Sequence, residues 1–265
     1  MKTQPRFLTG LSLTELLVAM VVVALVMAGA AGVFFAQNRV AIQEEISVTM
    51  ERNLRIGIRH LTDSIRNAGF DTPKTNLAAW VPWVAGFAAN PNIVAGGSAS
   101  TPDAISVARC TAQAVTTLSA NAAVAATILS VASTSALDSG QRRLINIGHA
   151  ENAHVVTVNS ATSITVDTNP ITPGLQGLAK ARPANTSICR VDVDTYRVDA
   201  NEHTLLLDHN DGNAAKILLD SILNLKLVRT GSLHEIVLTV QSDRPDPATG
   251  AILTRAMRSS AAMKN

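Results

Sequence analysis

The sequence lacks the residue patterns of the common catalytic and nucleotide-binding sites. Its 265 residues contain no Gly-x-Ser-x-Gly, no His-Glu-x-x-His, no Walker A loop and no Gly-x-Gly-x-x-Gly. These patterns place a nucleophile, two metal ligands or a phosphate cradle at fixed spacing, so their absence argues against the corresponding enzymes. The six histidines are scattered along the chain. We therefore expect no enzymatic activity, no cofactor and no metal site.

Two further residue classes are scarce. There are only two cysteines, Cys110 and Cys189, with no Cys-x-x-Cys, which argues against a redox pair or a zinc knuckle. The chain also lacks a large excess of either charge, because 22 basic and 20 acidic residues give a net charge of only +2. Nucleic-acid binding needs a basic surface. We expect the pairs Arg142–Arg143 and Lys180/Arg182 to be solvated, and no nucleic-acid partner.

The N-terminal region carries an acid at the start of a long apolar segment. Residues 10–20 read Gly-Leu-Ser-Leu-Thr-Glu-Leu-Leu-Val-Ala-Met, and no charge follows Glu15 until Arg39. As a helix, residues 16–36 would rise about 31 Å, enough to cross a hydrocarbon core. A charge within lipid costs roughly 2.5–3.5 kcal/mol on the mild insertion scale. The pattern therefore predicts a transmembrane helix whose carboxylate has a partner.

This arrangement resembles the N-terminal signal of type IV prepilins and pseudopilins. The resemblance implies that a prepilin peptidase cuts after Gly10, that Leu11 becomes the methylated N-terminus, and that Glu15 is the fifth-position acid. Leu11 departs from the usual Phe at the first mature position. Lys2 and Arg6 would make the leader basic and keep the N-terminus cytoplasmic. Without them the mature chain has a net charge of +2 − 2 = 0. The Glu15 carboxylate would then pair with the α-amino group of an adjacent subunit.

Two other interpretations of this end remain open. Ala28-Gly29-Ala30 is an A-x-A-like site, as in an ordinary secretory signal, after which a soluble exported protein would begin near Ala31. The apolar run continues through that site, and an acid at its start is unfavourable for such a signal. A plain signal anchor with an incidental Glu15 is the other possibility.

The helical period continues past the apolar segment. Apolar residues recur every three or four positions, which predicts one buried helix face. They are Ile42, Ile46, Met50, Leu54, Ile58, Leu61, Ile65 and Ala68. The opposite face is charged, and Gly69 would suit the position after the last helical residue. We predict a transmembrane and assembly helix over residues 11–36 and its amphipathic continuation over 37–69.

The remainder reads as a loop followed by a β domain. Residues 70–103 contain several prolines and the rings of Trp80, Trp83 and Phe87, which either fix the loop on the core or form an inter-subunit contact. Residues 104–265 should form a β-rich domain with an insertion over 111–187. Short β-branched runs bounded by turn residues predict strands. These runs are 105–110, 144–147, 155–158, 163–166, 188–193, 204–207, 225–229, 235–241 and 253–259, with one more at 128–131.

The segment from Asp208 to Asn213 allows two interpretations. Its acids suggest a calcium loop, but glycine falls at the fifth position instead of the sixth that an EF-hand requires. A hairpin with a tight Asp-Gly turn explains the same residues. We therefore predict a hairpin here.

The whole chain resembles the minor pilins of the PilW type and the related J-type pseudopilins. This resemblance implies a pilin-like α+β fold, with a long N-terminal helix packed on a mainly antiparallel sheet. It also implies a structural subunit that primes or caps a type IV pilus filament, or alternatively a minor pseudopilin of a type II secretion system. A Sec-exported soluble binding protein is the alternative from a different class. Expected partners are other minor and major pilins, the prepilin peptidase and the inner membrane.

The expected location bears on the cysteines. The resemblance implies a single-pass inner-membrane protein with its N-terminus in the cytoplasm and its C-terminal domain in the periplasm, which later enters the filament. In that oxidising compartment Cys110 and Cys189 would favour a disulfide, whereas two unrelated buried thiols are the alternative.

Overall fold

The computed structural model describes most of the chain as one helix and a set of antiparallel strands. The described residues are 13–68, 80–81, 84, 87, 90–96, 101–110, 114–137, 143–169, 174–231 and 233–262. The helix is α1, Leu13–Arg66. The strands are β1 Asn92–Val94, β2 Ala104–Cys110, β3 Thr116–Thr117, β4 Ile128–Ser130, β5 Leu144–Ile147, β6 Glu151–Ser160, β7 Ser163–Asp167, β8 Ser187–Asp199, β9 Thr204–Asp208, β10 Lys216–Leu219, β11 Ile222–Thr230, β12 Leu233–Gln241 and β13 Thr254–Ala262.

The described chain divides into two compact units. One comprises Met1–Thr49 with Asp243–Leu253, and the other comprises Met50–Ser242 with Thr254–Asn265. In the first unit, the loop of residues 243–253 is fixed to α1. Gln43 Nε2 donates to Asp246 Oδ1 at 2.8 Å, and Arg244 forms an ion pair with Glu45. Asp246 also accepts from the N–H of Ala248 at 2.8 Å, which turns the loop back on itself.

Ten strands of the second unit form one antiparallel sheet. The main order is β1-β2-β8-β5-β6-β7-β4, and β9 pairs with both β8 and β10 while β3 pairs with β8. The strand β8 is central because its 13 residues pair with several partners in succession. Ile188 to Arg190 pair with β5, and Val191 to Tyr196 pair with β2. One long strand therefore joins two regions of the sheet.

The predicted insertion over residues 111–187 has its own apolar core. It contains β3 to β7, and their inward residues meet the start of β8. This cluster includes Leu118, Leu129, Val131, Ile145, Ile147, Val155, Ile164, Val166 and Ile188. A second cluster contains Trp80, Phe87, Ala108, Leu144, Val191 and Val193. The prediction that the loop rings lie on the core is thus confirmed for Trp80 and Phe87, while Trp83 lies outside the described residues.

The other three strands form a separate antiparallel sheet in the order β11-β12-β13. Buried and half-buried residues alternate regularly along β12, which gives this sheet one apolar face. His234, Ile236, Leu238 and Val240 are its buried residues.

The second half of α1 packs on this sheet, so the expected α+β class is confirmed. Met50, Leu54, Leu61 and Ile65 are buried on one helix face, as the period predicted. A Cβ atom on Gly57 would lie 2.5 Å from Leu238 Cδ2, so glycine permits a close approach between helix and sheet here. Beyond the apolar contact, Ser64 and Tyr196 hydroxyls share a hydrogen bond of 2.6 Å.

Asp103 connects the two sheets of this unit. Its backbone N–H donates to Leu225 O at 2.8 Å, and its carboxylate accepts from the Leu227 N–H at 2.8 Å and from Lys226 Nζ at 3.1 Å. The residue is 4% exposed. Burial alone would raise the pKa of Asp103, but the hydrogen bonds from Gly96, Leu227 and Lys226 outweigh burial and lower it.

Several boundaries differ from the predictions. The helix ends at Arg66 and continues as a turn, and the predicted cap Gly69 lies outside the described residues. The loop over residues 70–103 contains the short strand β1, which pairs with β2. The predicted hairpin is present as β9 and β10, but residues 209–215 connect them, so the tight Asp-Gly turn was wrong. The backbone N–H groups of Asn210 and Asn213 donate to the carboxylates of Asp208 and Asp211, which stabilises the longer loop.

Candidate functional site on the N-terminal helix

The first half of α1 presents apolar side chains to its surroundings. In this helix the most apolar 18-residue window has none of its residues buried, and its length and composition suffice to cross a membrane. Large side chains along it are exposed, from 52% at Leu16 to 79% at Leu13. A core helix of a soluble protein would bury such residues. The surface therefore needs a covering of lipid or of other protein chains.

Glu15 lies in the first turn of this exposed helix. Thr14, Val18, Ala19 and Val22 lie with it on one mainly apolar part of the helix surface. A carboxylate is favoured near a helix N-terminus, because the aligned peptide dipoles place partial positive charge there. It can accept charge-assisted hydrogen bonds from a cation that approaches this end of the helix. Gly10 and Leu11, the other predicted residues of this site, lie outside the described part of the chain.

Two glycines interrupt the apolar surface. A Cβ atom at Gly29 or at Gly32 would meet no described atom within 4 Å. The two residues are three positions apart, so they lie on neighbouring parts of one helix face. Small residues in this arrangement let another helix approach closely within a membrane. The helix runs through both glycines without a break.

The two predicted disulfide residues are brought together. Cys110 and Cys189 are bonded, and their Cα atoms are 5.7 Å apart. Cys110 ends β2, where it pairs with Val191 of β8, so the bond links adjacent strands near the junction of the insertion. Both residues are buried.

A polar cluster around the buried Asp194 lies beside this junction, and no sequence pattern predicted it. The Asp194 side chain is 2% exposed and accepts from Arg109 Nη2 at 2.7 Å. Its other oxygen lies 2.7 Å from His209 Nδ1. No described hydroxyl or thiol hydrogen-bonds to His209, so this acid–histidine pair is not part of a nucleophilic triad within the described residues. It anchors the residues that follow β9.

The histidines and acids of the described ranges form no ligand cluster. Among the described residues, no group of three or more His, Cys, Asp or Glu side chains could hold a metal ion. In the loop that suggested calcium, Asp208 and Asp211 accept from the backbone N–H groups of Asn210 and Asn213. His154 stacks on Trp80 with ring centroids 5.4 Å apart, and burial lowers the pKa of its imidazole.

Comparison of the chain with protein-family models, with curated proteins and with solved structures finds no match. The class of molecule is thus defined by its own geometry. It is an α+β chain with one exposed apolar helix, long enough to cross a membrane, that continues into a helix half packed on antiparallel sheets.

Proposed function

We propose that this chain is a minor pilin, a non-enzymatic subunit that primes or caps a type IV pilus filament. Residues 1–10 are the leader, and residues 11–36 anchor the chain in the inner membrane. The N-terminus lies in the cytoplasm and the C-terminal domain in the periplasm. The observation that carries the proposal is Glu15, an acid in the first turn of a helix half whose most apolar stretch has no buried residue.

The position of Glu15 supports assembly as the function. A carboxylate among apolar residues is costly in lipid, by roughly 2.5–3.5 kcal/mol on the mild insertion scale. A cleaved neighbour would bring an α-amino group to the same depth in the membrane. The two opposite charges then stabilise each other where subunits meet, and truncating either partner would leave a buried charge unpaired. The exposed apolar surface and the small residues Gly29 and Gly32 supply the contact area for neighbouring helices.

The second half of α1 supports a structural role for the globular domain. Its buried face holds the helix on the sheets, so the anchor and the domain share one helix. A cut near Ala31 would divide this helix within its exposed half. An exported soluble protein would have no use for the exposed apolar residues 33–35 at its new N-terminus.

Cleavage after Gly10 tests the proposal directly. The mature protein, purified from its own host, should have the mass of residues 11–265 plus one N-terminal methyl group. Gly10→Ala should leave the uncleaved precursor in the inner membrane, and Thr9→Ala is the matched control that should still be processed. Intact-mass spectrometry measures each species. A mature chain that begins near Ala31 would overturn the proposal and favour a secreted protein.

A further inference from the structure

The strand β13 is the longest strand edge without a partner in the described part of the chain. It has nine residues and pairs with β12 on one side only. No backbone hydrogen bond from a described residue reaches its other side. The outer strands of the larger sheet are shorter, with three residues in β1 and β4 and four in β10. Short edges limit pairing with other chains, whereas a long edge invites it.

The opposite edge of the same sheet is covered near its middle. The backbone N–H and the carboxylate of Asp103 bond to Leu225 O and to the Leu227 N–H, which occupies outward groups of β11. Among the described residues, the β11 edge is thus bonded at Leu225 and Leu227, whereas the outer side of β13 has no backbone bond and is called the open edge. In the described sheet, the open edge therefore offers the longer uninterrupted stretch for another strand.

A groove runs between this open edge and α1. Its volume is about 470 Å³, and Met257 and Ser259 of β13 face Ile58 and Thr62 of the helix across it. The two sides meet where the Thr62 and Ser259 hydroxyls lie 3.5 Å apart. A strand added beside β13 would continue the sheet and place alternate side chains toward the helix.

The helix side of the groove is basic. Arg55, Arg59 and Arg66 line it together with one acid, Asp63, which gives a net charge of +3 − 1 = +2. Arg55 and Arg59 are ion-paired within the helix, yet their side chains remain 71% and 85% exposed. Four helical residues rise about 6 Å, and two strand residues span about 6.6–6.8 Å. Acids at alternate strand positions therefore match the spacing of Arg55 and Arg59.

From these observations we propose that β13 and the basic face of α1 form a docking site for an extended acidic segment of another protein. The segment adds as a fourth strand on β13. Its backbone bonds to the open edge, and glutamates or aspartates at alternate positions pair with Arg55 and Arg59. This inference goes beyond the proposed function and stands without it. Every residue involved belongs to the second unit, Met50–Ser242 with Thr254–Asn265, which we call the globular unit.

Binding of a designed peptide tests the charge requirement. The probe is a ten-residue fluorescent peptide with Glu at alternate positions and Val or Thr between them, and the control carries Lys in place of Glu. Both are titrated by anisotropy onto the full chain in a non-ionic detergent. The Glu peptide should bind and the Lys peptide should not. The double variant Arg55→Gln/Arg59→Gln should weaken binding by about tenfold or more, because it removes two interfacial charges. Arg229→Gln, on β11 of the same sheet, should leave binding unchanged.

Strand addition needs a backbone readout. Two versions of the Glu peptide carry N-methyl groups on alternate amides, one version on each edge of the strand. One version should lose binding and the other should retain it, since only one edge faces β13. Hydrogen exchange in residues 254–262 should slow when the parent peptide binds, whereas exchange in the control strand β9 should not change.

Several outcomes would overturn the proposal. They are no binding of the Glu peptide, equal binding of the Lys peptide, or full binding by both N-methylated versions. The last result would mean that charge attracts the peptide without strand pairing. Tighter, salt-sensitive binding of a DNA duplex that displaces the peptide would also overturn it, because the arginines would then serve a nucleic acid.

Discussion

At the scale of single residues, the surroundings of each carboxylate determine the free-energy cost of keeping it charged. Glu15 lies on an exposed apolar helix surface, where the environment that covers it decides whether its charge is tolerated. Asp103 is buried but accepts from two backbone N–H groups and from Lys226, so its charged form is stabilised within the protein. Asp246 is held by the Ala248 N–H and by Gln43, and these bonds lower its pKa. Asp103 and Asp246 are thus satisfied within their own units.

Replacement of Glu15 should separate membrane insertion from assembly. Glu15→Val removes the charge, so the variant should insert as well as the natural chain or better. It should fail to enter filaments, because the amino group of its neighbour loses its counter-charge. Thr14→Val changes the adjacent side chain and should assemble normally. Membrane fractionation and immunoblots of sheared filaments measure the two steps, and normal incorporation of Glu15→Val would contradict an assembly role for this carboxylate.

Asp103 should make the globular unit sensitive to acid. Its folded-state pKa lies below the unfolded value of about 3.9, so the unfolded chain binds more protons between the two values. The stability it supplies is full above that unfolded value and falls as the pH drops through the folded pKa. Asp103→Asn should lower stability near pH 6 and weaken its dependence on pH below 4. Urea unfolding from pH 6 to pH 3 measures this, with the exposed Asp243→Asn as control. Parallel curves for Asp103→Asn and the natural chain would contradict it.

At the scale of elements, α1 has two halves with opposite requirements. The first half exposes apolar side chains, whereas the second buries one apolar face against the β11-β12-β13 sheet and exposes its charges. In the second half, Gly57 lets the helix approach the sheet closely, because Leu238 lies where a Cβ atom on this residue would be. One continuous helix therefore carries an exposed apolar surface in its first half and a buried apolar face in its second half.

Two neighbouring positions test the packed face. Leu54 is 1% exposed, so Leu54→Ala should destabilise the globular unit by about 2–5 kcal/mol through lost contacts and a cavity. The Arg55 side chain is 71% exposed, and Arg55→Ala should cost less than about 0.5 kcal/mol. Urea unfolding followed by circular dichroism measures both. Equal effects of the two substitutions would mean that the buried face is assigned wrongly.

The elements that could be predicted show a periodic pattern within a short stretch of sequence. The elements that were missed show no such pattern. The stripe through Leu54 and Leu61 was visible because helix burial repeats every three or four residues. The strands β3 and β10 were missed because two to four residues are too few to show alternation. The Asp194 cluster gave no signal because Arg109 lies 85 residues earlier in the chain. Glu15 could be proposed from sequence because its charge contrasts with its apolar neighbours.

At the scale of the whole molecule, the exposed apolar surface and the buried apolar cores lie in different parts of the chain. The apolar segment up to residue 36 is exposed, and the sheets bury their own clusters. The loop of residues 243–253 bonds to Gln43 and Glu45, so the first unit includes helix residues that follow the apolar segment. A soluble fragment must therefore begin before Gln43 to keep these bonds and after the apolar residues to avoid aggregation.

The fragment of residues 39–265 should fold alone as a soluble monomer. It keeps the buried helix face, both sheets, the disulfide and the loop bonded to Gln43, whereas it loses the exposed apolar surface. The matched fragment 67–265 lacks the whole helix and leaves Leu238 and its neighbours uncovered, so it should aggregate or unfold. Sedimentation and circular dichroism distinguish the two fragments without detergent. If both were equally stable monomers, the helix would not be part of the core. If the fragment 39–265 aggregated like the full chain outside detergent, the apolar segment would not be the reason that the chain needs a membrane.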